Sequence, residues 1–253
     1  MSALLAGARR LILTRFRYSD AWFFYLLWPV MFPAAYLFTA GALAGGGQGF
    51  PDYRAYIVSG TLLWMWVNLT CWSTGGALRQ EQTGGTLETN WASPAPRWAL
   101  LCGPAVADIG LGLVAMAIGA AESTLLFHVR WPASWAVTAA VLAASVPWVL
   151  GVGLCLAALV FWAKDVASMV NLVRGLFMVA CGITCPVAVL PGWLQAVGSA
   201  LPMTYALDAI RGGPWGADLA RLLAFDLGLL ALGAILFAAV ERSVRRRGAV
   251  GVY

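Results

Sequence analysis

The chain has 253 residues, is 61% hydrophobic and 11% charged, and has a mean hydropathy of +0.80. That is well above the roughly 45–50% apolar content of soluble domains, so its surroundings are lipid. The net charge of +5 does not point to nucleic acid, because the basic residues sit at the ends and in short gaps between apolar runs and form no stripe for a phosphate backbone.

Residues 2–17 place Leu4, Ala8, Leu11, Ile12 and Phe16 on one helical face and Arg10, Thr14 and Arg17 on the other. This predicts an amphipathic helix within about 1–20 that lies in the headgroup plane of the inner leaflet. A signal peptide is the competing reading, with "TAGALAGG" at 39–46 offering an A-x-A, but the apolar run from Trp22 is too long for an h-region. Apolar runs then predict an all-α integral membrane protein with six transmembrane helices, at about 21–43, 55–78, 99–127, 133–163, 166–189 and 217–240. The fourth run is long for one span, which tilt or an interfacial turn accommodates. An even number of spans puts both termini on one side, and that side carries eleven of the sixteen basic residues, including Arg79, Arg97, Lys164 and the ends of the chain. Arg54, Arg130, Arg211 and Arg221 fall on the other side and Arg174 inside a span, so the termini and the 79–98 loop are expected in the cytoplasm.

The first two spans are rich in aromatic residues, among them Trp28, Phe32, Tyr36 and Trp64. Two readings stand: an aromatic-lined path for a hydrophobic substrate, or ordinary packing and lipid contact. After the second span comes the polar island "EQTGGTLETNWASPAPRW" at 81–98. Thr86 or Gly85 caps a two-turn helix, Glu88 sits in its first turn, and Pro94 and Pro96 stop it. Leu87 and Trp91, at i and i+4, form an apolar knob that suits docking on another subunit; a loop with Trp91 anchored in headgroups is the plainer reading. Asp108 and Arg174 each lie about ten residues from the cytoplasmic end of their spans, so at about 1.5 Å per residue both are about 15 Å deep. An unpaired charge there costs at least ~2.5 kcal/mol, which predicts that the two pair with each other or face a wet cavity. Residues 190–213 hold two short helical pieces opened by Pro191 and Pro202, neither long enough to cross, and read as a re-entrant helical hairpin in the outer leaflet.

Reactive chemistry is missing from the sequence. The sole lysine, Lys164, follows Ala163, so there is no P-loop; the sole histidine, His128, excludes H-E-x-x-H; and no G-x-S-x-G occurs. The chain therefore reads as no enzyme, with no cofactor of its own. Cys71, Cys102, Cys155, Cys181 and Cys185 lie in apolar runs and read as small packing residues, although Cys181 and Cys185 share a helix face that a soft metal would fit.

The run "GTLETNWASPAPRWALLCG" at 85–103 resembles the conserved loop of the type-two ABC exporter permeases, and "PVAVLPGWLQAVGSALPMTYALDAIRG" at 186–212 is similar to that family's re-entrant segment. The resemblance covers nearly the whole chain, as one permease domain over residues 1–253, and is nearest to drug exporters. It implies that the coupling loop, with Thr86, Leu87, Glu88, Trp91, Ser93, Pro94 and Arg97, meets a separate ABC ATP-binding subunit that binds ATP and Mg. It also implies a hairpin carrying Pro191, Trp193, Pro202, Asp208 and Arg211. The working unit would hold two permeases and two ATPases, identical or related, in the cytoplasmic membrane, exporting a drug, lipid or lipid-linked molecule. A polysaccharide or teichoic-type glycan exporter shares this architecture. A secondary transporter or an intramembrane enzyme remains as a rival of another class.

Overall fold

Long apolar runs that lack water fold so that every backbone N–H and C=O is paired within the segment, which makes them helices. The computed structural model describes residues 27–44, 53–83, 97–160 and 166–247, with four isolated positions in the first 17. Among the described residues all regular structure is helical: α1 (Trp28–Ala44), α2 (Tyr53–Thr83), α3 (Arg97–Leu125), α4 (Trp135–Val160), α5 (Val166–Ala180), α6 (Gly192–Ser199), α7 (Pro202–Ile210) and α8 (Trp215–Arg247). The expected N-terminal amphipathic helix and the coupling helix at 86–93 lie outside the described residues.

Among the described residues, three stretches are long and apolar enough to cross a membrane: Ala105–Leu125 in α3, Trp135–Leu159 in α4 and Asp218–Val240 in α8. Trp28–Phe38 and Ala167–Ala180 are shorter apolar helices. α2 has the length, at 31 residues, but its middle carries Ser59, Thr61, Asn68 and Thr70, all buried. All three of these hydroxyls are absorbed by the helix itself: Ser59 Oγ donates to Tyr56 O at 3.0 Å, Thr61 Oγ1 to Ile57 O at 2.8 Å and Thr70 Oγ1 to Trp66 O at 3.2 Å. The fifth expected span, 166–189, is shorter than the sequence suggests, because α5 ends at Ala180. Gly182 takes a left-handed φ of +73° and Pro186 follows, so the helix cannot continue.

α2 is the hub. It packs against α1, α3, α4, α5 and α7, and its fully buried Leu62, Leu63, Met65 and Trp66 join both parts of the apolar core. α8 is peripheral, with only 22% of its span buried, and packs chiefly against α4 and α7. The α4–α8 contact is close. A Cβ added at Gly151 would stand 2.7 Å from the Leu229 carbonyl carbon and the Leu230 nitrogen, and one at Gly233 would stand 2.6 Å from Gly151 O. Backbone cannot yield as a side-chain tip can, so Gly151→Val should lower stability by about 1–3 kcal/mol. Gly228→Ala, where nothing lies within 4 Å, should be tolerated. Thermal unfolding of the two variants in detergent checks the contrast; equal midpoints would mean that α4 and α8 are not this close.

Candidate functional site

The four aromatic residues singled out in the first two spans come together. Trp28, Phe32 and Tyr36 follow one another at i, i+4 and i+8 on α1, which places them on one helical face. Phe32 is the centre: its ring stacks on Trp28 at 5.7 Å and on Trp64 of α2 at 5.2 Å, and meets Tyr36 at 5.1 Å. Trp64 is buried, while the three α1 rings are partly open. Arg174 of α5 extends this ladder. Its guanidinium lies 5.1 Å from the Trp64 ring centroid, Trp64 Nε1 donates to Arg174 O at 3.0 Å, and Arg174 Nη1 donates to Asn171 Oδ1 at 3.1 Å. The cation is thus held by a π face and an amide. Asp108 is fully buried on α3. Two residues along α2, Trp66 Nε1 donates the other way, to Ile109 O of α3 at 3.1 Å. Alternate tryptophans therefore tie the hub to α5 and α3.

A second polar constellation surrounds Arg211, which follows α7. Its Nη1 donates to Gly182 O at 2.7 Å, its Nη2 to Tyr56 O at 2.9 Å and Ile183 O at 3.3 Å, and its Nε to Ser59 Oγ at 3.4 Å. The guanidinium also lies 3.4 Å from the Tyr56 ring centroid. Tyr56 OH donates to the same Gly182 O at 2.7 Å, and Tyr53 OH to Thr184 O at 3.2 Å. The carbonyls just past the end of α5, where a helix leaves acceptors unpaired and carries partial negative charge, are therefore answered by one cation and two phenols. Burial pulls the Arg211 pKa down to about 10, with Tyr56 and Asp208 opposing, so the group is charged at neutral pH. Burial also raises the Asp208 carboxyl, with Arg211 lowering it and Asp218 adding to the rise.

The prolines stand where the sequence places them: Pro191 caps α6 and Pro202 opens α7. The pair is laced by Thr204 Oγ1 to Gly198 O at 2.7 Å and Tyr205 OH to Ser199 O at 2.6 Å. Trp193 is 70% exposed. Of the coupling residues, Arg97 begins α3, while Thr86, Leu87, Glu88, Trp91, Ser93 and Pro94 lie outside the described residues. Among the described residues no three His, Cys, Asp or Glu side chains gather as a metal site. The sequence analysis missed Tyr56 and Ser59 as partners of Arg211, and missed Asp226 inside the last span. Tyr53 and Tyr56, one turn apart at a helix start, were the available signal for the first, and a lone acid in the apolar run for the second.

Buried polar side chains paired across helices, in a chain with three membrane-crossing stretches, define an α-helical integral membrane protein. The profile of the ABC-2 type transporter family matches residues 4–214, and the chain belongs to that family: it is an ABC transporter permease, a transport component. No curated protein matches the sequence.

The clamp makes a graded prediction. Hydrogen bonds to a charged group contribute about 1.5–3 kcal/mol and a neutral one about 1. Arg211→Gln should cost about 3 kcal/mol and Tyr56→Phe about 1 kcal/mol in thermal or denaturant unfolding of the purified protein. An Arg211→Gln variant as stable as wild type would mean that the clamp does not hold the helices.

Proposed function

We propose that the chain is the transmembrane subunit of an ATP-driven exporter that moves a hydrophobic or amphipathic molecule, such as a drug, a lipid or a lipid-linked compound, out across the cytoplasmic membrane. The family match supplies the transport class, and the observation that carries the substrate class is the aromatic ladder of Trp28, Phe32, Tyr36 and Trp64 with Arg174 at its end. Stacked rings with partly open faces offer π and apolar contact without a fixed hydrogen-bond pattern, which suits flat or apolar solutes.

In this reading α1, α2 and α5 cross alongside α3, α4 and α8, so that six spans leave both termini in the cytoplasm, in keeping with the basic residues on that side. α6 and α7 dip from the outer side as a re-entrant hairpin and return. Two permeases work with two ATP-binding subunits, which bind ATP and Mg. ATP binding draws the ATPases together, residues 86–93 transmit that movement, and the permease pair switches its pathway from inward to outward access.

Leu87 and Trp91 then dock in a groove of the ATPase. Losing a buried apolar anchor costs about 2 kcal/mol, roughly 30-fold in affinity, whereas a rim charge matters less. Leu87→Ala with Trp91→Ala should leave the permease inserted but weaken co-purification with its ATPase and abolish substrate-stimulated hydrolysis; Glu88→Gln should be milder. Phe32→Ala should reduce stimulation by hydrophobic compounds while leaving co-purification unchanged. Normal association, stimulated hydrolysis and transport in the double variant would remove the coupling role of this loop.

A further inference from the structure

Among the described buried acids outside the ladder and the clamp, Asp226 is set apart by its two open carboxyl oxygens. Asp226 lies inside the Asp218–Val240 span of α8, beyond the part of the chain that the family profile covers. It is 1% exposed, and neither carboxyl oxygen has a hydrogen-bond partner.

Among the described residues, the elements packed chiefly against α8 supply no free counter-charge. α4 contains no Asp, Glu, Lys, Arg or His, and its one titratable side chain is Cys155. α7 brings Tyr205 and Asp208, with Arg211 at its end. Arg211 is committed to Tyr56, Ser59, Gly182 and Ile183. Tyr205 stacks on Phe225 at 5.6 Å and donates its hydroxyl to Ser199 O. On α8 itself, Arg221 is 61% exposed and lies 3.8 Å from Asp218.

The register of α4 against α8 fixes what else stands at this depth. Gly151 lies against Leu229 and Leu230, and Gly233 against Gly151 and Leu154, so the two helices run parallel. Three residues before Gly151 is Trp148; three before Leu229 is Asp226. Trp148 is fully buried and stacked on Phe177 at 5.8 Å, and its indole N–H has no acceptor. The one donor at the level of Asp226 is therefore not solvating it. A carboxylate without water, cation or hydrogen-bond donor neutralises by taking up a proton.

We infer that Asp226 is a proton-binding site of the membrane interior: a neutral carboxylic acid while α4 and α8 are packed together, releasing its proton only when that interface opens to water. On opening, the acid O–H bond breaks, the proton passes to water, and the carboxylate is hydrated; closure requires that a proton return. One proton per permease is thereby linked to the separation of α4 and α8, and alkaline pH favours the separated arrangement. This inference stands on burial and register and does not depend on the exporter reading.

Infrared spectroscopy of the full chain, carrying 13C-carboxyl aspartate and reconstituted in phosphatidylcholine–phosphatidylglycerol nanodiscs, reads the protonation state directly. At pH 7 and pH 8 the wild type should show a protonated-acid carbonyl band that is lost in Asp226→Asn and kept in Asp108→Asn. Where Asn prevents insertion, Asp226→Glu removes the site from the labelled set with the same expected loss. Absence of any protonated-aspartate band in the wild type at pH 7 would overturn the inference, as would its persistence in either Asp226 variant.

Discussion

Hydrocarbon offers a polar group no water to fall back on, so every carbonyl left open where a helix stops must be met by another part of the protein. Arg211 is where this constraint shapes the chain. α5 ends early, at Ala180, and exposes the acceptors of residues 182–184 in the middle of the packing. The guanidinium reaches them from the end of α7 and at the same time bonds Tyr56 O near the start of α2. Three elements far apart in sequence are joined by one side chain whose donors diverge in a plane, a task the single point charge of a lysine cannot perform. The cost of burying the cation is offset because its ring face is also covered, by Tyr56.

From that junction the order extends along α2. Its first turns are pinned by the clamp, and its middle presents Trp64 to α5 and Trp66 to α3 through indole N–H bonds to main-chain carbonyls. The aromatic ladder is built on a helix that cannot easily rotate, because rotation would break bonds to two neighbours at once. α1 needs only to lay one face of rings against it. The ladder is consequently fixed on its α2 side and partly open on its α1 side, which suits the proposed holding of a flat apolar solute.

Helices and their punctuation were legible in the sequence because they depend on local chemistry. Pro191 and Pro202 lack the N–H that a helix interior needs, and each opens a short helix as expected. The ring spacing of Trp28, Phe32 and Tyr36 is likewise a property of one helix. The end of α5 was not legible as such: the apolar run continues past Ala180, and only the left-handed φ at Gly182 reveals the stop. Arg211 could be placed near the right loop, but its partners are main-chain carbonyls and a tyrosine 155 positions away, and carbonyls carry no sequence signature. Arg174 shows the same limit. Its depth can be read from a sequence, whereas the azimuth that turns Arg174 to Trp64 and Asn171 comes from packing. The segment at 86–93, whose resemblance implies a coupling helix, falls outside the described residues.

The two halves of the molecule meet the same constraint in opposite ways. Around Arg211 and Trp64 the guanidinium, the Tyr53 and Tyr56 hydroxyls and the Trp64 indole N–H are each matched across helices, and such a cross-linked buried network resists rearrangement because movement strands its members. Between α4 and α8 the main chains approach closely at Gly151 and Gly233, with no side-chain hydrogen bond between the two helices among the described residues, and at the level of Trp148 and Asp226 polar atoms are left open. Separating these two helices would hydrate those atoms instead of stranding them, so the loss of apolar contact is partly offset. In the alternating-access cycle proposed above, one interface must hold and one must yield; the matched donors of α2 with α5 and α7 suit the first role, and the open polar atoms between α4 and α8 suit the second.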